Sequence, residues 1–414
     1  MFNCANLAIN AKSAQRTIFV FFKRDLTHTF DRYSKFPVIA VLGPRQSGKT
    51  TLTKHYFKKH VYINLENPEY RTFAAEDPNR FLKEFENPHG IIIDEFQYVP
   101  ELLSYIQVAV DEKKRAGFFI ITGSQNFLMN QSITQSLAGR VGILTLLPLS
   151  LHELKINHLL QDIDTTLLFG SYPRLYEEKF APMDLYPSYI QTYLERDVRQ
   201  IANVGDLLVF QKLMKLCAAR TGQLLNIADL ATNLGVDQRK VKEWLSVLEA
   251  SYIVFLLKPH FQNFNKRLTK TPKLYFYDTG LACSLLGMTT IETVKFSSYR
   301  GNLFESLIIS DFQKQYYHSG MSQSSTYFWR DQNGRIEVDC VIDRGDALFP
   351  VEIKSGETLS SSFFTSLSEW NKLAKSPPEH TTIIYGGDKN QTRSQGKALS
   401  WKNATEFVRQ LYDV

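Results

Sequence analysis

The sequence predicts an α/β protein: a parallel sheet wrapped by helices, then a helical middle part, then a second α/β part. Three observations lead to this prediction. Apolar, β-branched runs alternate with helical stretches from Pro37 to Leu147, as in parallel sheets that are buried on both faces. A helix–glycine–helix pattern lies within residues 226–257. Two further apolar strands, at 335–342 and 348–353, carry carboxylates.

Length and composition limit the class of protein. The chain has 414 residues, of which 43% are apolar and 22% are charged, as in folded proteins with two or three domains. The net charge of +6 permits a polyanionic partner without requiring one. Four scattered cysteines without a C-x-x-C pair argue against a zinc site or disulfide framework and favour a cytoplasmic location.

Residues 1–21 are predicted to be an N-terminal extension. The apolar run from Thr17 to Phe22 is ended by Lys23 and Arg24. Six such residues cannot span a bilayer, and no small-residue cleavage site follows them. We therefore expect a core strand, or an upstream extension of the start, rather than a signal. No membrane association is expected anywhere in the chain.

A nucleotide-binding pattern begins directly after the strand at residues 38–42. The loop has the spacing G-x-x-x-x-G-K-T, and a helix is predicted from Thr51 onward. Backbone amides of such a loop, together with a helix N-terminus, bind phosphate oxygens. A glycine turn with a chance lysine is disfavoured by the strand and helix on either side. The residues predicted to bind ATP are Gly43, Pro44, Arg45, Gln46, Ser47, Gly48, Lys49, Thr50 and Thr51.

A second pattern supplies carboxylates for the same chemistry. The apolar strand ending at Ile93 delivers Asp94 and Glu95 at its carboxyl end. In phosphoryl-transfer sites a lysine such as Lys49 reaches the β- and γ-phosphates. Thr50 and Asp94 are the predicted Mg²⁺ ligands. Glu95 is predicted to orient and deprotonate the attacking water.

Ser124 is a second candidate for catalysis. It ends the buried strand at residues 117–124 and is followed by Gln125 and Asn126. A hydroxyl at this position suits a group that senses the γ-phosphate or positions the water. It equally suits a cap for the following helix, and both interpretations stay open.

Arg140 is the third candidate for catalysis. It follows a helix predicted at residues 127–137 and precedes a strand predicted at residues 141–147. That position favours an arginine finger, which stabilises charge on the transferring phosphoryl group of a neighbouring subunit and implies a homo-oligomer. The alternative is a cation that meets the dipole at a helix C-terminus.

Four stretches together carry a family resemblance: Leu42–Leu52, Ile93–Gln97, Thr122–Ser124 and Ser136–Arg140. They resemble a prokaryotic family of AAA-type P-loop ATPases that carries a C-terminal domain of unknown function. The resemblance extends from about Phe22 to Gly356 of this chain. It implies an AAA-type core at residues 22–160 that binds ATP and hydrolyses it, but it implies no cellular role.

Residues 161–223 are predicted to form a helical lid or linker. The charged run Glu195–Asp197 is typical of the same family, although a salt-bridge network on a helix surface explains it equally well. The turn Gly170–Arg174 also recurs in the family. From this lid, Arg174 could touch the nucleotide.

Residues 224–290 are predicted to form a winged helix. A helix at residues 227–234 is followed by Gly235 and by a second helix that Asp237 caps. Runs at residues 252–257 and 274–277 fit the strands of a wing. The polar and cationic side chains could contact DNA, or the module could contact protein with these side chains solvated. They are Gln238, Arg239, Lys240, Lys242, Lys266, Arg267 and Lys270.

Residues 291–414 are predicted to form a last α/β domain with a possible second active site. Glu305 lies on a helix, Asp339 on one strand, and Glu352 and Lys354 on the next, where residues two apart face the same way. This order resembles the core of restriction-endonuclease-like nucleases, in which carboxylates hold Mg²⁺ and the lysine assists the attacking water. The alternative is an inherited fold that is structural or binds nucleic acid without cutting it.

Three functions remain after the sequence is read. The first is a Mg²⁺-dependent ATPase that acts on or is bound to DNA. The second is a nucleotide-switched DNA-binding or scaffold protein with little turnover. The third is a DNA nuclease governed by ATP.

Overall fold

The computed structural model describes residues 21–113, 115–124, 133, 136–194, 207–260, 270–321, 324–331 and 333–412. Their helices are α1 (Thr27–Tyr33), α2 (Lys49–Tyr56), α3 (Pro68–Glu76), α4 (Pro78–Glu84), α5 (Leu102–Lys113), α6 (Leu151–Ile156), α7 (Ile163–Phe169), α8 (Pro173–Glu177), α9 (Pro182–Tyr189), α10 (Leu207–Ala219), α11 (Ile227–Leu234), α12 (Gln238–Ala250), α13 (Thr279–Leu285), α14 (Ile291–Lys295), α15 (Arg300–His318), α16 (Thr365–Ala374) and α17 (Ala404–Tyr412).

The strands form three sheets within the described residues. They are β1 (Val38–Gly43), β2 (Val61–Asn64), β3 (Ile91–Asp94), β4 (Phe119–Ser124), β5 (Val141–Thr145), β6 (Gln223–Leu224), β7 (Val254–Leu257), β8 (Lys273–Phe276), β9 (Thr326–Arg330), β10 (Glu337–Asp343), β11 (Leu348–Lys354), β12 (Thr382–Tyr385), β13 (Gln391–Arg393) and β14 (Gly396–Ser400).

The first sheet has five parallel strands in the order β2-β3-β4-β1-β5. Every residue of β1 and β3 is buried, because alternate side chains enter separate apolar clusters on the two faces. Parallel strands place their carboxyl ends at one edge of a sheet. That edge carries Asp94, and Gly43 pairs there with Ser124.

The middle of the chain joins a helix pair to a three-stranded antiparallel sheet in the order β6-β8-β7. Helix α11 ends at Gly235, whose φ of 68° is left-handed. Asp237 then caps α12 by accepting a hydrogen bond from the amide of Arg239 at 2.6 Å. Trp244 of α12 packs edge-on against Phe210 of α10, with ring centroids 5.7 Å apart.

The third sheet is mixed, in the order β13-β14-β12-β11-β10-β9. Strands β9, β10 and β11 are antiparallel neighbours, whereas β11, β12 and β14 run parallel. Apolar residues of α15 pack on one face together with Val351 and Ile353. Trp370 of α16 packs on the other face with Val338. This sheet is therefore covered on both sides.

Helix α15 also contacts the first α/β part. Near its C-terminal end, the carbonyl of His318 accepts a hydrogen bond from Thr29 Oγ1 at 2.6 Å. Lys314 Nζ donates to the carbonyl of Leu149 at 3.0 Å and to Ser171 Oγ at 2.9 Å. The long helix of the C-terminal part thus forms part of the interface with the first α/β part.

The predicted α/β class and parallel first sheet are confirmed. Several predicted boundaries differ from the observed ones: the helix after the phosphate loop begins at Lys49, and the strands of the wing are Val254–Leu257 and Lys273–Phe276. The strand that ends at Ser124 begins at Phe119, the strand after Arg140 ends at Thr145, and β10 is Glu337–Asp343. No helix of the described residues is both long and apolar enough to cross a lipid bilayer. Outside the described residues lie most of the helix predicted at 127–137, Gln125, Asn126, Glu195–Asp197, Lys266 and Arg267.

Candidate nucleotide site and acid cluster

The loop between β1 and α2 has a backbone that only glycine tolerates at two points. Gly43 has a φ of 149°, and a Cβ there would lie 2.1 Å from the carbonyl oxygen of Leu146. Gly48 has a φ of 93°. Among the described residues, no side chain caps α2, so its first amides are left for a ligand.

Side chains of the loop support the same interpretation. Lys49 is buried, and its Nζ donates to the carbonyls of Gly43 at 3.0 Å and Pro44 at 2.8 Å. The ammonium is therefore held at the mouth of the loop. Gln46 Oε1 and Ser47 Oγ are buried without hydrogen-bond partners among the described residues. Such unsatisfied groups in a glycine-lined cradle fit the binding of a triphosphate.

Asp94 is the centre of a hydrogen-bonded group at the end of β3. Its Oδ2 accepts from Thr50 Oγ1 and from the hydroxyl of Tyr62, each at 2.8 Å, and its Oδ1 accepts from Thr122 Oγ1. Burial, followed by the charge of Asp94, raises the pKa of Tyr62, so this phenol stays a donor. Carboxylate and hydroxyl oxygens in this arrangement are the ligand types that Mg²⁺ prefers.

Glu95 has a left-handed backbone, with a φ of 54°. Burial raises the pKa of its carboxyl; Lys49 opposes that shift and Asp94 adds to it. Gln97 Nε2 donates to Glu95 Oε2 and, at 3.2 Å, to Ser124 Oγ. A carboxylate with a raised pKa that is oriented by an amide is suited to accept a proton from water.

Lys49, Thr50 and Glu95 border a cavity of about 330 Å³. Outside the loop it is also lined by Glu66, Phe22, Pro173 and Arg174. Arg174, expected to reach the nucleotide, is also paired with Glu178, with Nε 2.9 Å from Oε1. The cavity thus has phosphate-binding groups on one wall and helix α8 on another.

Arg24 also lines this cavity, and the sequence analysis missed it. Its two terminal nitrogens donate to the carbonyls of Ser47 at 2.7 Å and Leu147 at 2.6 Å. Its Nε lies 3.1 Å from Glu153 Oε1. Arg24 therefore fixes the phosphate loop to the segment that follows β5. No local motif marks it, because its partners lie 23 and 123 residues away.

The structure brings together the predicted loop residues 43–51, Asp94, Glu95 and Ser124, but it does not place Arg140 with them. The guanidinium of Arg140 forms an ion pair with Asp111, with contacts of 2.6 and 2.9 Å. Its Nη1 also donates to the carbonyl of Ala138 at 3.1 Å. Arg140 does not line the cavity of its own chain.

The four residues of the possible nuclease site also meet. Lys354 Nζ lies 2.6 Å from Glu352 Oε1 and 3.6 Å from Asp339 Oδ2. The amide of Ile353 donates to the same Asp339 oxygen at 2.9 Å. Glu305 projects from α15, and the charge of Asp339 acts on its carboxyl. We call Glu305, Glu337, Asp339 and Glu352 the acid cluster.

Two carboxyl groups of the acid cluster have pKa values above their ordinary range. Burial, followed by the charge of Asp339, raises the pKa of Glu352 to about 8. Burial also raises the pKa of Glu305 to about 7, against the opposing charge of Lys273. Glu352 Oε2 is buried without a hydrogen-bond partner among the described residues. Both pKa shifts follow from burial close to a like charge, that of Asp339.

Lys273 and Tyr275 of β8 complete the acid cluster, and the sequence analysis did not assign them. Lys273 Nζ lies 2.6 Å from Glu337 Oε1 and 3.2 Å from Glu305 Oε1. The hydroxyl of Tyr275 donates to the same oxygen of Glu305 at 2.5 Å. Lys273 and Tyr275 are two residues apart on one strand, so their side chains lie on the same face of the sheet. This spacing is the sequence signal that could have placed them together.

On the cationic face predicted on α12, Arg239 and Lys242 are exposed and Lys240 is half-buried. Arg239 Nε lies 3.3 Å from Glu243 Oε1, and 88% of the Arg239 side chain is exposed. Lys240 Nζ lies over the ring of Trp244, 5.1 Å from its centroid. These side chains are accessible to a partner, but their described contacts are the ordinary ones of a helix surface.

The fold and the phosphate loop define a P-loop ATPase of the AAA type. Residues 35–155 match the family described as "AAA domain", residues 160–292 match "Domain of unknown function (DUF8612)", and residues 300–404 match "Domain of unknown function (DUF4143)". Two mycobacterial proteins, Uncharacterized protein Rv2008c of Mycobacterium tuberculosis and Uncharacterized protein Mb2031c of Mycobacterium bovis, are each 30% identical over 393 residues. These matches cover 93% of this chain and 84% of each relative, and the chain belongs to their family.

Two solved structures are also similar. The Walker-type ATPase PABY2304 of Pyrococcus abyssi has a TM-score of 0.43 and 16% identity, covering 64% of this chain and 96% of that one. The RuvB Holliday junction branch migration motor of Thermotoga maritima has a TM-score of 0.30 and 17% identity, covering 57% and 90%.

Proposed function

We propose that this protein binds ATP with Mg²⁺ at the phosphate loop and hydrolyses it. The observation that carries the proposal is the contact between Thr50 and Asp94 at 2.8 Å. These residues come from the two separate nucleotide-binding patterns, and they meet beside the buried ammonium of Lys49. Glu95, a carboxylate that an amide orients, directly follows Asp94, and this favours turnover over a nucleotide switch without hydrolysis.

Each residue has a defined task in this proposal. Loop amides and Lys49 bind the β- and γ-phosphates, and Thr50 and Asp94 hold the metal ion. When bound, Mg²⁺ neutralises charge on the phosphate oxygens. Glu95 accepts a proton from the attacking water, while Gln97 and Ser124 keep its carboxylate oriented.

Arg140 is proposed to complete the site of a neighbouring subunit in a homo-oligomer. Its side chain is about one-third exposed, and its contacts with Asp111 lie at the surface, where an ion pair is worth little. The guanidinium can therefore exchange Asp111 for a phosphate group of a neighbour at small cost. In this proposal Arg140 leaves Asp111 only when subunits assemble.

Nucleotide binding and phosphate release test the ATPase proposal. We expect the wild-type protein to bind ATP with Mg²⁺ and to release phosphate. Lys49→Ala should lose at least about tenfold in ATP affinity and nearly all turnover, because the phosphates lose their charge partner. Lys58→Ala, an exposed lysine beyond the same helix, is the matched control. No affinity of the wild-type protein for ATP or ADP with Mg²⁺ would overturn the proposal.

We propose that the middle part, with its helix pair and antiparallel sheet, is a winged helix that contacts DNA. Support comes from two cations at the start of α12, Arg239, which is exposed, and Lys240, which is half-buried. Replacing both by alanine should weaken binding of duplex DNA and reduce its salt dependence, because phosphate contacts release counterions. Equal binding by variant and wild type across salt concentrations would contradict a DNA-contacting role.

A second function, Mg²⁺-dependent nuclease activity, is favoured by the geometry of the acid cluster. Asp339 and Glu352 would hold the metal ion, and Lys354 would orient the attacking water. With millimolar Mn²⁺ the wild-type protein should nick supercoiled plasmid, and Asp339→Asn should not. Asp346→Asn changes an aspartate whose side chain is 77% exposed and should nick like the wild type. Intact plasmid with all three proteins would dismiss nuclease activity.

A further inference from the structure

A cavity separate from the nucleotide site lies between the middle part and the C-terminal part of the chain. Its volume is about 510 Å³, which is in the range of sites for small organic ligands. It is lined by residues from the end of α12 and from β7 on one side, and by residues of α15 and β9 on the other. We call it the tyrosine cavity, because four of its lining residues are Tyr252, Tyr277, Tyr317 and Tyr327.

The aromatic rings of the tyrosine cavity meet at steep angles. The ring of Tyr252 is inclined by 85° to that of Tyr317 and by 64° to that of Tyr277, with centroids 6.2 and 6.0 Å apart. Phe255 adds a fourth ring, whose centroid lies 4.7 Å from that of Tyr277. The face of an aromatic ring carries negative potential, so rings that surround a cavity attract a positively charged group. The walls therefore favour a cationic ligand over an anionic one.

One carboxylate lines the tyrosine cavity without a partner. The described residues give the side chain of Glu249 neither a hydrogen bond nor an ion pair, although the residue is half-buried. Burial raises the pKa of its carboxyl, and the charge of Lys258 opposes that shift. Lys258 also lines the cavity but is exposed, so solvent screens its charge. A partly dehydrated carboxylate of this kind is stabilised by a cation that contacts it.

The backbone of Tyr252 is a further observation on the same cavity. Tyr252 follows the end of α12 with a φ of 54°, a left-handed conformation that glycine usually adopts at this position. A tyrosine there costs conformational energy. Its side chain makes two uses of the position: the hydroxyl lies 3.2 Å from Thr145 Oγ1, and the ring forms the corner between Tyr277 and Tyr317. Strained residues of this kind cluster at ligand sites.

We propose that the tyrosine cavity binds a small organic cation, whose substituted ammonium group lies against the tyrosine rings and pairs with Glu249. The charge of the ligand supplies the partner that the carboxylate lacks, and its alkyl groups replace water on the rings. Because the cavity is formed by α12 and β7 together with α15 and β9, the bound cation contacts both parts of the chain. Its binding therefore stabilises the contact between them.

Binding of choline to the full-length, nucleotide-free protein, measured by isothermal titration calorimetry at low ionic strength, tests this inference. The wild type should bind choline saturably. It should bind the neutral analogue, in which carbon replaces the nitrogen of choline, at least about tenfold more weakly, because that analogue lacks the charge. Glu249→Gln should lower the affinity for choline at least about tenfold. Glu243→Gln, which changes an exposed glutamate on the same helix, is the matched control and should bind like the wild type.

A pair of changes at Tyr317 tests the aromatic walls separately. Tyr317→Phe keeps the ring and should bind choline within about twofold of the wild type, whereas Tyr317→Leu removes the ring and should bind about fivefold more weakly. Absence of saturable choline binding by the wild type overturns the site. Binding that is unchanged by Glu249→Gln or by Tyr317→Leu, or that is equally tight for the neutral analogue, overturns its assignment to an organic cation.

Discussion

The amide of Gln97 lies 3.2 Å from the hydroxyl of Ser124 and also donates to the carboxylate of Glu95. Gln97 therefore connects the ends of β3 and β4 across the edge of the first sheet. Glu95 is held in one orientation by a neutral donor, which leaves its charge available to a water molecule. The arrangement separates binding groups, on the phosphate loop, from the group that handles the proton.

We expect Glu95→Gln to retain ATP affinity but to lower kcat about 100-fold or more, because an amide cannot accept the proton of the attacking water. Nucleotide binding and phosphate release, measured on the same preparation, separate the two effects. Glu101→Gln, an exposed glutamate near the start of α5, is the control. Undiminished turnover by Glu95→Gln would remove its role as the base.

Arg140 can be tested by mixing inactive subunits. Arg140→Ala and Lys49→Ala should each be at least about 100-fold less active than wild type, since each lacks one part of a composite site. Mixed together, they should recover activity, because intact Arg140 of one subunit can serve the intact loop of another.

The double variant Arg140→Ala/Lys49→Ala, mixed with Lys49→Ala, is the control and should stay inactive. Arg140→Ala with wild-type turnover, or a specific activity of wild type that is flat on dilution to monomer, would count against a finger supplied in trans.

Asp278 is expected to be a large contributor to stability. It is buried, and its carboxylate accepts from the amide and hydroxyl of Ser171 at 2.6 and 2.9 Å, from the hydroxyl of Tyr186 at 2.7 Å and from the amide of Leu281 at 2.8 Å. Asp278→Ala leaves these donors unsatisfied and should cost roughly 3 kcal/mol of unfolding free energy. Urea unfolding monitored by tryptophan fluorescence measures it.

Asp388→Ala serves as the control for Asp278. The Asp388 side chain is 72% exposed and pairs with Lys402 at the surface, so its removal should change the unfolding free energy by less than about 0.5 kcal/mol. A loss below about 1 kcal/mol for Asp278→Ala would show that the network tolerates removal of its acceptor.

The stability supplied by His152 should depend on pH. His152 Nδ1 lies 2.7 Å from Asp25 Oδ1, and this hydrogen bond raises the pKa of the imidazole above 6.5, although burial and Arg409 oppose it. The hydrogen bond to His152 and nearby positive charges, acting against burial, lower the pKa of Asp25, so the carboxylate is ionised throughout. Protonated His152 therefore stabilises the folded state fully below the unfolded pKa, near 6.5, and loses this effect as pH rises through the folded pKa.

The measurement for His152 is the difference in unfolding free energy between wild type and His152→Asn as a function of pH. The difference should be largest in mildly acidic solution and should shrink as the solution becomes alkaline. His89→Asn, which changes an exposed histidine, should show no such trend. A difference that grows with pH would reverse the assigned sign.

Much of the candidate nucleotide site could be located in the sequence because its residues lie in continuous motifs. The loop at residues 43–51 and the strand ending in Asp94 and Glu95 each carry their pattern locally. The apolar runs also fixed the sheet class, because period and burial are local properties. The structure also brings together the residues of the possible nuclease site, as their order along the helix and the strands predicted.

The contacts that could not be predicted join residues that are far apart in the sequence. Tyr62 and Thr122 reach Asp94 from 32 and 28 positions away, because the strand order places β2 and β4 on either side of β3. Lys273 enters the acid cluster from a different sheet. A single sequence contains no record of which strands become neighbours, so such partners appear only in three dimensions.

The position of helix α15 limits how the parts of this protein can be exchanged during evolution. From Glu305 to His318 it spans roughly 20 Å at 1.5 Å per residue, with the acid cluster near one end and Thr29 at the other. The three family matches occupy consecutive stretches of the chain. Helix α15, which lies in the last of them, nevertheless packs against α1 and α6. Recombination that replaced the C-terminal part would also have to replace the matching surfaces on α1 and α6. We therefore expect the three parts to be inherited together.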